Sequence, residues 1–167
     1  MKYFIFILFS GFYASAEHRE HGAHKHGAAE LSIAFEGATG QIDFGVPSES
    51  IYGFEYVPKK DGDKKKQRDG LNSVEKNISI MIQFDPSLHC VLSKEKIEVE
   101  QHKGENHANV DAEFKVVCEK SPVGTNVTFN IQQIFPKIKD VKVKIIADDL
   151  QKSFDANKSG AVLELKK

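Results

Sequence analysis

The sequence predicts an all-β protein, an antiparallel β-sandwich of about seven or eight strands with one short helix. Two observations support this prediction. From residue 28 onward, apolar residues mostly alternate with polar ones, which is the period of a half-buried strand, and turn-forming residues separate the alternating runs. Residues 59–76 differ, because they are polar with few apolar positions. This stretch favours one exposed helix between residues 59 and 77, broken near Gly70 or partly a loop.

The first residues have the three parts of a secretory signal. Lys2 supplies a positive charge, an apolar run follows from Tyr3 to Tyr13, and Ala14-Ser15-Ala16 has the small-x-small pattern of a cleavage site. The apolar run is too short for a spanning helix. The alternative, a buried N-terminal helix, would leave the Ala-Ser-Ala pattern as chance.

The chain is therefore expected to contain a signal peptide (1–16), a histidine-rich N-terminal segment (17–27) and a single β-sandwich domain (28–167). The mature protein would start at Glu17, be periplasmic or secreted, and not insert into a membrane after cleavage. A formal net charge of −1 at pH 7 provides no basic excess for nucleic acid.

The expected domain begins with a hairpin. Apolar and polar residues alternate from Leu31 to Phe35 and again from Ile42 to Val46, with a glycine-containing turn at 37–40. This pattern predicts two strands that share one apolar face. A further strand is expected over 78–84, where an apolar run ends at Asp85-Pro86.

A second, longer hairpin is expected from residues 90–100 and 111–118, which alternate on either side of a polar loop at 101–107. Cys90 and Cys118 lie at the far ends of these strands and would meet at the base of the hairpin. A lone cysteine pair in an oxidising compartment most often forms a disulfide. A redox pair or soft metal ligands are the alternatives, but the Cys-x-x-Cys spacing typical of them is absent. The last strands are expected over 127–131, 141–145 and 162–165.

Metal capture is the function that the histidines favour. His18, His21, His24 and His26 stand within nine residues, just past the expected cleavage site. Imidazole suits Zn²⁺, with Cu²⁺ and Ni²⁺ as alternatives, and clustering lowers the entropic cost of bringing several ligands to one ion.

The expected site combines this cluster with the tip of the long hairpin. His24 and His26 are two residues apart and would share one face of a strand. We expect them to bind one ion together with His107, and Asp111 or another histidine would be the fourth ligand. His18, His21 and His102 are expected to be occasional ligands.

Two further side chains are assigned other roles. His89, beside Cys90, is expected to be structural or solvent-facing. Glu55 is expected to be an ordinary turn carboxylate, with a ligand or an acceptor behind a ligand as the alternative.

Several segments resemble one family in order along the chain. Residues His21-Gly22-Ala23-His24-Lys25-His26-Gly27-Ala28-Ala29-Glu30-Leu31 resemble the opening motif of the ZrgA-like periplasmic zinc-binding proteins. Gly53-Phe54-Glu55 before Pro58, the cysteine pair around a histidine-bearing loop, and the late Phe135-Pro136 corner fall in the same order. The resemblance implies a bacterial periplasmic protein, made under zinc limitation, that binds Zn²⁺ and assists a zinc ABC importer or its binding protein.

The chain departs from the family pattern at two places. Tyr56 stands where the family usually has histidine after Gly-Phe-Glu. The loop between the cysteines has only His102 and His107, where the family often has a dense histidine run. Both departures lower the metal capacity that the resemblance implies.

Two other classes of function compete with zinc binding. A metal-dependent enzyme, similar to superoxide dismutase or to a zinc hydrolase, would need ligands spread over the fold or a general base beside an open metal position. Four of the seven histidines crowd the N-terminal segment, and no His-Glu-x-x-His occurs. The third class is a structural or adhesion domain with an incidental histidine-rich tail.

Overall fold

Nine β-strands in two sheets make up most of the fold in a computed structural model that describes residues 27–101 and 107–166. The strands are β1 (Ala28–Glu36), β2 (Thr39–Pro47), β3 (Ile82–Phe84), β4 (Val91–Glu100), β5 (Asn109–Val117), β6 (Asn126–Phe129), β7 (Asp140–Ala147), β8 (Leu150–Ala156) and β9 (Ala161–Glu164). The helices are α1 (Ser48–Tyr52), α2 (Asp61–Met81) and α3 (Ile131–Ile134), with a 3-10 turn at Pro86–Leu88.

The large sheet has six strands in the order β4-β5-β2-β1-β7-β8, and the small sheet has three in the order β3-β6-β9. The all-β prediction is confirmed. Three details differ from it: there are nine strands, β1 pairs with β7 in parallel, and the main helix is long. The two strands of the parallel pair come from distant parts of the chain, and both are interior strands of the large sheet. The unexpected ninth strand is β8, which is the outermost strand on one side of its sheet and has only its first and last residues buried.

The two sheets pack face to face around one core. The rings of Phe35 in β1 and Phe84 in β3 lie 5.4 Å apart, and those of Phe129 in β6 and Phe154 in β8 lie 6.0 Å apart. The expected first hairpin is present, with Ile33 opposite Ile42 and both side chains buried. In β1, β2, β5 and β7 the alternation places one face of the strand in this core, because successive side chains point to opposite faces.

Helix α2 corrects the prediction for residues 59–84. It runs unbroken for 21 residues and includes residues 78–81, which were expected to be strand. Gly70, Val74, Ile78 and Met81 are its buried residues, and their helical spacing forms one apolar stripe. The apolar run is therefore divided between the end of α2 and β3, and Gly70 faces the core and does not break the helix.

The expected signal peptide and histidine-rich segment lie outside the described residues, apart from Gly27. Among the described residues, no helix combines the length and apolar character needed to cross a membrane.

Candidate metal-binding site

The β4–β5 hairpin is closed at its base by the predicted disulfide. The sulfur atoms of Cys90 and Cys118 are 2.03 Å apart, and their Cα atoms are 3.9 Å apart. Beyond the disulfide, the two strands pair from Val91 opposite Val117 to Glu100 opposite Asn109, with one irregularity between Lys94 and Lys96. Gln101 and His107 are therefore at the opposite end of the hairpin from the disulfide, as predicted.

His107 is the one predicted histidine ligand that lies within the described residues. It precedes β5, and its ring nitrogen Nδ1 is 2.7 Å from the carboxylate oxygen Oε2 of Glu55. The His107 side chain is 44% exposed, whereas the Glu55 side chain is only 10% exposed. A carboxylate at one nitrogen orients the imidazole, so the nitrogen that would bind a metal is Nε2.

Glu55 is the functional candidate that sequence reasoning undervalued. It was expected to be an ordinary turn carboxylate, with a ligand or an acceptor behind a ligand as the alternative, and it contacts a histidine 52 positions later in the chain. The sequence offered one signal for Glu55, the Gly53-Phe54-Glu55 motif in the family resemblance. That motif does not show which residue the glutamate contacts.

The start of β1 lies at the same edge of the large sheet as His107. Glu30 of β1 stands opposite Gly45 of β2, and Gly45 stands opposite Asp111 of β5. These three residues form one row across the sheet, so β1 and β5 begin at the same edge. Gly27, which follows His26, therefore lies at the same edge as His107. Two strand spacings separate β1 from β5, so the backbones of Gly27 and His107 are about 10 Å apart.

His24 and His26 themselves lie outside the described residues, as do His18, His21 and His102. The predicted convergence on one ion therefore remains a prediction. Within residues 27–101 and 107–166, no group of three or more histidine, cysteine, aspartate or glutamate side chains is placed to hold a metal ion.

Asp111 belongs to an acidic patch on the outer face of the large sheet. Its neighbours in β5, Val110 and Ala112, are buried, so Asp111 is on the face away from the core. Asp111 stands opposite Glu98, and Glu113 stands opposite Asp43. Like charges directly opposite each other are unfavourable, and such a patch attracts cations.

Lys96 partly balances this patch. It forms an ion pair with Glu98. The hydrogen bond to Glu98, together with the negative charges of Glu98, Glu113 and Asp111, raises the pKa of Lys96. The ammonium group therefore stays protonated beside the carboxylates.

His89 forms a second histidine–carboxylate pair at the other end of the hairpin. Its Nδ1 is 2.9 Å from Oε2 of Glu119, and the two side chains are 68% and 69% exposed. This pair lies beside the disulfide and is open to solvent, as expected for His89. It has the same chemistry as the His107–Glu55 pair without its burial.

Comparison with known proteins identifies the family. The chain matches the ZrgA family of zinc uptake proteins over residues 23–165, so it belongs to that family. A comparison with curated proteins gave no match. The matched region includes His24, His26 and His107, and the resemblance inferred from the sequence is confirmed.

Proposed function

We propose that this chain is a periplasmic protein that captures Zn²⁺ at the sheet edge where β1 and β5 begin. His24, His26 and His107 bind the ion, with Asp111 or another histidine as the fourth ligand. The observation that supports this most directly is the position of His107, oriented by Glu55 at the same edge as Gly27. Membership of a zinc uptake family supports zinc as the metal.

The proposed geometry needs ligands from two sides of β2. Strand β2 lies between β1 and β5 and ends at Pro47, opposite Asn109. Zinc in proteins usually has four ligands, and the distance from zinc to a histidine nitrogen is about 2.0–2.1 Å. Facing histidine side chains from the two flanking strands can span a gap of two strand spacings with one ion between them. The acidic patch raises the local concentration of cations near this edge.

His18, His21 and His102 act in this proposal as occasional ligands. Tyr56 replaces the histidine usual in the family, and its hydroxyl group donates a hydrogen bond to Asp63 at 3.1 Å. It therefore serves to connect the loop to α2 and adds no nitrogen ligand. Cu²⁺ binds most nitrogen sites more tightly than Zn²⁺, so zinc selection depends on geometry and supply.

The chain acts in this proposal as a binding protein and not as an enzyme. It passes Zn²⁺ to a zinc ABC transporter or to the binding protein of that transporter. The disulfide fits an oxidising compartment such as the periplasm.

Deleting residues 17–26 tests the proposal. We expect the shortened protein to keep its circular dichroism spectrum and to lose tight zinc binding, measured by competition with a chelator. Native mass spectrometry after zinc addition gives the stoichiometry of both forms. Unchanged tight binding in the shortened protein would contradict the proposed site.

A further inference from the structure

We propose that Glu55 is a positioning residue, which fixes the ring orientation and the tautomer of His107 before zinc arrives. This inference rests on the proposed function and adds a residue to it. The contact is short, at 2.7 Å, and Glu55 is largely shielded from water. Electrostatic and hydrogen-bond interactions are stronger where water is excluded. A neutral histidine that donates Nδ1–H to the carboxylate presents the lone pair of Nε2 to a metal.

Ser48 holds the two partners at a fixed spacing. Its backbone N–H donates to the carbonyl oxygen of Ala108 at 2.8 Å, and Ala108 is the neighbour of His107. Its hydroxyl group donates to the carbonyl oxygen of Phe54 at 2.8 Å, and Phe54 is the neighbour of Glu55. Ser48 is fully buried. One rigid residue therefore connects the backbone beside the histidine to the backbone beside the carboxylate.

The loop that carries Glu55 has further attachments. Gln101 donates from Nε2 to the carbonyl oxygen of Glu55 at 3.0 Å, from the other side of the hairpin tip. The ring of Phe54 lies 4.7 Å from that of Tyr52 and 4.5 Å from that of Tyr56. These contacts hold the backbone that carries Glu55 in place independently of any metal, which favours a preformed site.

The His89–Glu119 pair provides a matched control within the same protein. It has the same two groups in hydrogen-bond contact, but both side chains are exposed. Exposed pairs contribute little and hold their side chains weakly. Removing Glu119 should therefore leave both His107 and zinc binding unchanged.

The experiment uses the full mature chain labelled with ¹⁵N, at about pH 8, above the ordinary pKa of histidine. Long-range ¹H–¹⁵N correlation spectra report which ring nitrogen of His107 carries the proton. We expect Nδ1–H in the parent protein and in Glu55→Gln, whose amide oxygen still accepts the hydrogen bond. In Glu55→Ala we expect the Nε2–H tautomer, which isolated histidine favours. Glu119→Ala should leave His107 unchanged.

Zinc affinity provides the second measurement. We expect Glu55→Ala to weaken zinc by about 10- to 100-fold, the usual effect of removing a carboxylate behind a histidine ligand. Glu55→Gln should weaken zinc by less than this but measurably relative to the parent protein, because a neutral amide is a weaker acceptor than a carboxylate. If Glu55→Ala does not fold, this loss of affinity is the test, and parent-like affinity in Glu55→Gln overturns the role of Glu55.

The possible failures are distinguishable. If His107→Ala loses zinc affinity but neither Glu55 variant changes affinity or tautomer, the role of Glu55 is overturned and the proposed site survives. If His107→Ala binds zinc as tightly as the parent protein, the proposed site is wrong, and the inference about Glu55 fails with it.

Discussion

A Cβ atom added to Gly70 would lie 2.9 Å from Cβ of Tyr52 and 3.1 Å from Cγ2 of Ile51. Helix α2 therefore packs closely against α1 at Gly70, where a side chain would need its neighbours to shift. Tyr52 ends α1, directly before the loop that carries Glu55. The packing of a long surface helix therefore helps to place a residue of the candidate site.

Gly70→Ala is expected to destabilise the protein by about 1–3 kcal/mol, because overpacking the contact outweighs the better helix propensity of alanine. Gly62→Ala is the control on the same helix, since an added Cβ there meets no atom within 4 Å. It should be neutral or stabilising by up to about 1 kcal/mol. Urea unfolding of both variants measures the difference, and equal stability of the two would argue against close packing at Gly70.

Replacing both cysteines by serine is expected to lower the free energy of unfolding by on the order of 3–4 kcal/mol, because the unfolded chain regains the freedom of the closed loop. The reference is the oxidised parent protein in the same urea titration. Zinc affinity should change little, since the hydrogen bonds that pair β4 with β5 from Val91 to Glu100 are made by the strands themselves and not by the cysteines. A large loss of affinity in the folded variant would show that the disulfide shapes the site.

The double variant His24→Ala, His26→Ala is expected to lose far more zinc affinity than His89→Ala, because only the first pair lies in the segment that enters β1. His89 is at the other end of the β4–β5 hairpin, beside the disulfide. Competition titration with a chelator measures all three proteins. A greater loss of affinity in His89→Ala would place the metal at the disulfide end of the β4–β5 hairpin and contradict the proposed site.

Zinc affinity is expected to fall as the pH drops through the region of the ordinary histidine pKa, about 6.5. Binding requires neutral imidazole, so protons compete with the metal below that pH. Titrations at several pH values between 5 and 8 measure the slope. An affinity that stays constant over this range would exclude histidine as the main ligand.

Sequence periodicity was sufficient for the two hairpins and the disulfide. In β1 every second residue is buried, and in β2 the same alternation holds from Ile42 to Val46, so register follows from which face is apolar. Cys90 and Cys118 then meet because they lie one residue beyond the last pair, Val91 with Val117. The histidine cluster and the family motif were also evident from the sequence alone, since both are local patterns.

Tertiary structure alone decided the parts that depend on contacts between distant residues. The run from Ile78 to Phe84 is compatible with helix or strand, and packing against the core assigned most of it to α2. The parallel pairing of β1 with β7 has no local signal, because it joins strands that are far apart in the chain. The contact between Glu55 and His107 is of the same kind. A side chain shows its chemistry in the sequence, but its partner is fixed only when the fold brings the two together.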